Sequence, residues 1–142
     1  MRYLGLDIGE RSIGVAVGEL IASELTTVHA GKDRSFYLQP ELAIEPIIKL
    51  ISEEEADAIV VGLPVNEDGQ NSQEAVKIQR FASALGSKLD KTIHFVNETL
   101  SSFMAEDILE GQGLSIREAK TREHQLSAAL ILQQFLEENA TS

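Results

Sequence analysis

The spacing of apolar positions changes along the chain in a way that separates strands from helices. YLGLDI at 3–8 and IGVAVG at 13–18 are short runs rich in Leu, Ile and Val, joined by the polar turn GERS at 9–12, and they predict a β-hairpin. A third apolar stretch, Leu25 to Leu38, is interrupted by Ala30-Gly31-Lys32-Asp33-Arg34 and predicts a strand, a polar turn and a second short extended piece. Pro40 opens a helical pattern in which Leu42, Ile44, Ile47, Ile48 and Ile51 make an apolar stripe. DAIVVGLP at 57–64 is continuously apolar and ends in Gly and Pro, as a buried parallel strand does. Residues 73–89 place Ala75, Ile78, Phe81, Ala82 and Leu85 at helical spacing with Lys77, Arg80 and Lys88 between them. TIHFVNE at 92–98 alternates like a strand, and two further helices are expected at 99–110 and 120–138, parted by Gly111-Gln112-Gly113.

This order implies an α/β protein with a mixed sheet flanked by helices on both faces, its second half made parallel by two strand–helix–strand units. Residues 1–138 are expected to form one domain, with a frayed tail at 139–142. A formal net charge of −11, from 23 acids against 12 bases, argues against a protein that coats polyanions, so any nucleic-acid contact has to be local or metal-assisted. The absence of cysteine removes thiolate, disulfide and Cys-ligated zinc chemistry. Asp7 breaks the N-terminal apolar run and no stretch approaches a membrane-spanning length, so a cytoplasmic protein without membrane contact is expected.

A turn at GERS pairs Ile8 with Ile13, Asp7 with Gly14, Leu6 with Val15, Gly5 with Ala16 and Leu4 with Val17. Cross-strand partners share a face, so Leu4, Leu6, Ile8, Ile13, Val15 and Val17 form a core face. The other face holds Asp7, Gly5, Gly14 and Ala16, a nearly bare surface around one carboxylate that lets a helix, another backbone or a phosphate come close. In the plainer alternative the glycines relieve crowding and Asp7 bonds a turn amide. Against that, an acid within a strand bears a desolvation cost that calls for a partner or a cation.

Glu98 ends a strand of the parallel half, where open α/β sheets place their sites, although an acid at a helix N-terminus is also common. His124 opens the apolar part of the last helix. Ser127, Ala128 and Ala129 give that helix a small-residue surface suited to the bare hairpin face, and packing the two together brings His124 toward Asp7 and Glu98. Acidic and imidazole ligands so placed can hold one or two divalent ions that clamp a phosphodiester and activate water. The segment GLPVNEDG carries a plain turn signal at Asp68-Gly69 and no catalytic role.

The motifs Leu6-Asp7-Ile8-Gly9 with Arg11, Ile13-Gly14-Val15-Ala16, Val60-Val61-Gly62-Leu63-Pro64 with Asp68-Gly69, Asn97-Glu98 with Leu100, and Ala128 with Ile131-Leu132 follow one another in the order of a known family. Over about residues 2–138 the chain resembles the YqgF (RuvX) family of pre-16S rRNA nucleases, relatives of Holliday-junction resolvases. The resemblance implies a ribonuclease H-like fold with a five-stranded sheet. It also implies a nuclease that uses Mg²⁺ or Mn²⁺ to cut phosphodiester bonds, with precursor ribosomal RNA as substrate, and in which Asp7, Glu98 and a last-helix ligand hold the ions.

Three departures mark this chain. The family reads Asp-Glu-Arg-Leu-Thr-Thr where this sequence has NETLSS, so Glu98 stays while Asn97 and Thr99 replace an acid and an arginine. His124 stands where the last helix normally opens with Asp. Imidazole suits Mg²⁺ less than softer ions, which implies a preference for Mn²⁺. Glu123 is the neighbouring carboxylate, but one helical residue turns a side chain by about 100°, so its use is expected to need a shift of the helix. Arg11, Arg117, Lys120 and Arg122 are candidates to replace the lost arginine in binding substrate phosphates, against an ordinary reading as solvated surface. A branched-DNA resolvase, or an impaired family member that binds RNA or protein, are the alternatives, and the chain is expected as monomer or homodimer. An actin-like ATPase also pairs an early Asp with hairpin glycines, but needs a second domain to close over its nucleotide.

Overall fold

The computed structural model describes residues 1–64, 72–98, 111 and 116–139, and for 116–121 the backbone alone. The elements in chain order are β1 (Tyr3–Ile8), β2 (Ser12–Gly18), β3 (Ser23–His29), α1 (Glu41–Glu54), β4 (Ala58–Pro64), α2 (Gln73–Gly86), β5 (Thr92–Glu98) and α3 (Ile116–Asn139). The five strands form one sheet in the order β3-β2-β1-β4-β5. Strands β1, β2 and β3 are joined antiparallel, and β4 runs parallel to both β1 and β5.

The hairpin has the expected register, Leu4↔Val17 through Ile8↔Ile13, with Asp7 opposite Gly14. Its turn is closed by the Gly9 amide, which donates to the Ser12 carbonyl at 2.9 Å. One face of the sheet buries Leu4, Leu6, Ile8, Ile13, Val15 and Val17 beneath Ala43, Ile47 and Ile51 of α1 and Ala75, Ile78, Phe81 and Leu85 of α2. The opposite face buries Ala16, Val60 and Val96 beneath Ala128, Ile131, Leu132 and Phe135 of α3. Helices therefore cover both faces.

The stretch after β3 differs from the expectation. Residues 36–38 form a turn, not an extended piece. The Ser35 hydroxyl accepts from the Tyr37 amide at 3.2 Å and the Leu38 amide at 3.4 Å, and a hydroxyl that satisfies two successive amides locks a turn in place of a sheet ladder. Helix α2 stops at Gly86 instead of 89, where the last turn tightens: the Lys88 and Leu89 amides donate to the carbonyls three residues back, Leu85 and Gly86. Helix α3 begins at Ile116, four residues before the apolar stripe suggests: IREAKTRE has good helix formers but no apolar periodicity to announce them. The expected helix at 99–110, the GLPVNEDG turn beyond Pro64 and the tail at 140–142 lie outside the described residues.

Candidate active site

Strands β1, β4 and β5 end on the same side of the sheet, with Leu6 level with Val61 and Pro64 level with Glu98. At their carboxyl ends a cavity of about 240 Å³ is lined by Asp7, Pro64, Glu74, Glu98, Glu123 and His124, among others. Each side chain is delivered by a different piece of local structure. Asp7 comes from the bare face of the hairpin and Glu98 from the last position of β5. Glu74 lies in the first turn of α2, whose N-cap Ser72 accepts from the Ala75 amide at 3.1 Å.

His124 is seated by the main chain. A Cβ added to Gly14 would stand 1.8 Å from the His124 carbonyl oxygen, and one added to Gly5 would stand 2.8 Å from Leu132 Cβ and 3.1 Å from the Ala128 carbonyl oxygen. The helix thus lies directly on the backbone of the hairpin, and Ser127, Ala128 and Ala129 are buried where the two meet. This brings His124 Nδ1 to 3.4 Å from Asp7 Oδ2. The hydrogen bond to Asp7 raises the imidazole pKa above 6.5 despite the opposing effect of burial, helped by the charges of Asp7 and Glu123.

Asp7, Glu98 and His124, the three ligand candidates from the sequence, line one cavity. Glu123 lines it as well, without any shift of α3: two successive helix residues can flank an opening that lies across the helix edge, even though their side chains diverge. Glu74 is the residue that sequence reasoning passed over. Its signal was there, an acid two residues after Ser72 in the helix that follows a site-bearing strand, but such an acid reads as a favourable partner of the helix dipole. Tyr37 donates its hydroxyl to Glu74 Oε1, and burial together with this bond pushes the phenol far above its ordinary pKa, so the proton stays on Tyr37 Oη.

The phosphate-binding candidates are dispersed. Arg11 is exposed in the β1–β2 turn. Arg122 Nη2 pairs with Glu24 Oε2 of β3 at 3.1 Å, which ties α3 to the far edge of the sheet. Neither Arg11 nor Arg122 lines the cavity. Arg117 and Lys120 lie in the first turns of α3, and their side chains are outside the described residues.

Among the described residues no three His, Asp or Glu side chains converge tightly enough to hold a metal ion as they stand. The donor set nevertheless fits one. Four carboxylates around one cavity repel one another, which favours a cation between them. The 3.4 Å from Oδ2 to Nδ1 is a little wider than the about 3.0 Å between neighbouring donors of an octahedral ion with bonds of about 2.1 Å, so a small approach of the two groups would let them share one.

A mixed sheet of this order, with an acid on its first strand and a helix laid across the hairpin, defines a ribonuclease H-like fold. The T. thermophilus RuvC structure solved in complex with a Holliday junction substrate superposes with a TM-score of 0.61 at 15% identity, covering 100% of this chain and 97% of that one. The fowlpox virus Holliday junction resolvase gives 0.55 at 8% identity, covering 97% and 99%. The profile of the RuvX family, described as Holliday junction resolvase, matches residues 1–138, and the chain belongs to that family. A relative from Chloroflexus aurantiacus named "Putative pre-16S rRNA nuclease" is 38% identical over 137 residues, 94% of this chain and 85% of the relative. One of the same name from Crocosphaera subtropica is 37% identical over 142 residues, 98% of this chain and 94% of the relative.

Proposed function

We propose that this protein is a divalent-metal-dependent nuclease that hydrolyses phosphodiester bonds in precursor 16S ribosomal RNA, with Asp7, Glu98 and His124 holding the ion. The observation that carries the reading is the approach of His124 Nδ1 to Asp7 Oδ2 at 3.4 Å, in a cavity that Glu98 shares. The substrate follows from the name that the relatives bear. An ion bound here would polarise the scissile phosphate and lower the pKa of an attacking water. Asp7 and His124 are fixed before substrate arrives, one by the hairpin and the other by the helix backbone. Tyr37 Oη donates to Glu74, which orients that carboxylate where it lines the cavity and adds its negative charge there. Four carboxylates repel a bare phosphodiester, which makes catalysis strictly dependent on the cation. Hydrolysis forms one P–O bond from water and breaks one to a sugar oxygen, which leaves with a proton.

The test is cleavage of end-labelled single-stranded RNA and of a four-way DNA junction, in Mg²⁺ and in Mn²⁺, by the wild type and by Asp7→Asn. Cutting of the RNA, faster in Mn²⁺ and reduced to background in Asp7→Asn, is the expected result; equal cutting by the variant, or none by either protein, overturns the reading. The family's description favours branched DNA as a second substrate, and cutting of the junction alone would establish it.

A further inference from the structure

On the sheet face that carries α1 and α2, a second cavity of about 260 Å³ is lined by Glu10, Tyr37, Leu38, Lys77 and Arg80. It abuts the carboxylate-lined one. Gly9 and Glu74 line the first cavity, while Glu10, next in the chain, and Lys77, one helical turn on, line the second. Tyr37 reaches from the second to the first through its hydrogen bond to Glu74.

The chemistry of the two cavities is opposite. The second presents two cations from one face of α2, and among the described residues neither Lys77 nor Arg80 forms an ion pair, so both heads are available to an anion. Beside them, Lys77 Nζ sits 5.9 Å from the centre of the half-buried Tyr37 ring, and Leu38 is 83% exposed. Tyr37 and Leu38 are held firmly. The Ser35 hydroxyl donates to Glu10 Oε2 at 3.1 Å and accepts from both their amides, and Phe36, just before Tyr37, is wholly buried against Phe81. Glu10 is thereby occupied with the turn, and the cavity wall carries two positive charges against one negative.

An ordered aromatic ring, an exposed apolar side chain and unpaired cations together suit a nucleotide: a planar base for the ring and leucine, a phosphate for the cations. We propose that this cavity is a subsite for the nucleotide flanking the scissile phosphate of a single-stranded substrate, with its base on Tyr37 and Leu38 and its phosphate on Lys77 and Arg80. The proposal rests on the nuclease reading for the position of the scissile phosphate. It gives the strand a path in which the cut phosphate lies over the carboxylates, and the next one is met by lysine and arginine one wall away.

Binding and cleavage separate the two ideas. Binding of a short fluorescein-labelled single-stranded RNA is followed by anisotropy, with Ca²⁺ in place of the catalytic ion, across a salt series. Tyr37→Ala is expected to weaken binding about five- to 150-fold, the effect of removing one base stack, and Tyr37→Phe, which keeps the ring but not the bond to Glu74, to bind within about twofold of wild type. Lys77→Ala combined with Arg80→Ala is expected to weaken binding and to lower the slope of log K against log salt by about 0.7 for each RNA phosphate that is no longer neutralised. Matching far-ultraviolet spectra and melting curves keep misfolding out of the comparison. Wild-type affinity and salt slope in both the Tyr37→Ala and the Lys77/Arg80 variants, or no binding by the wild type, overturns the subsite. Loss of cleavage in Asp7→Asn with unchanged binding in the subsite variants would leave the nuclease standing and the subsite refuted. Weakened binding in those variants, in a protein that cuts nothing, would do the reverse.

Discussion

His124 joins a cationic acid to a carboxylate in a place where a metal would need both groups unprotonated. In metal-free protein its imidazole gains from Asp7 more than burial takes away, so it titrates above its ordinary 6.5. The sign of the linkage follows. The pairing adds full stability below the unfolded value, and that contribution disappears as pH rises through the raised folded value. A proton–nitrogen NMR titration in chelator is expected to place His124 above 6.5, and Asp7→Asn to move it down; the same midpoint in both proteins would contradict the pairing. That Asp7 and Glu98 would meet was legible in the sequence, because an acid inside an apolar strand bears a desolvation cost and one at the carboxyl end of a parallel strand stands where open α/β sheets place their sites. Glu74 and Tyr37 were not, since their link depends on a turn at 35–38 that no periodicity encodes and that a hydroxyl, Ser35, holds in shape.

The hairpin and α3 make one unit, held by close backbone approach. Gly14→Ala would drive a Cβ to 1.8 Å from a main-chain oxygen that cannot rotate away, so the helix has to move. Urea unfolding is expected to show a loss of at least about 2 kcal/mol. Gly5→Ala, whose nearest conflict is 2.8 Å from a side-chain carbon, is expected to lose less; equal, small losses would show that α3 seats elsewhere. This packing was readable in advance, because the register places Gly5, Gly14 and Ala16 on one face and the helix offers Ser127, Ala128 and Ala129 to match. The start of α3 was not readable, since Ile116 and Ala119 alone among residues 116–123 leave no apolar stripe. The pairing of Arg122 with Glu24 was equally hidden, because it joins residues 98 positions apart in the chain.

Across the whole molecule, the described fold collects Asp7, Glu74, Glu98 and Glu123 at one end of the sheet in a chain already at −11. Such a concentration is destabilising without a counter-ion, and an ion that binds the folded state alone stabilises it by mass action. Millimolar Mn²⁺ is expected to raise the melting temperature of the wild type by a few degrees and that of Asp7→Asn by less than half as much. Equal shifts in the two would assign the effect to general charge screening. The seat of α3 on bare glycine backbone has a consequence for how such a protein changes over time. The post at residue 124 is set by main-chain atoms that are the same whatever side chain it bears, so the occupant can be exchanged without rebuilding its mount.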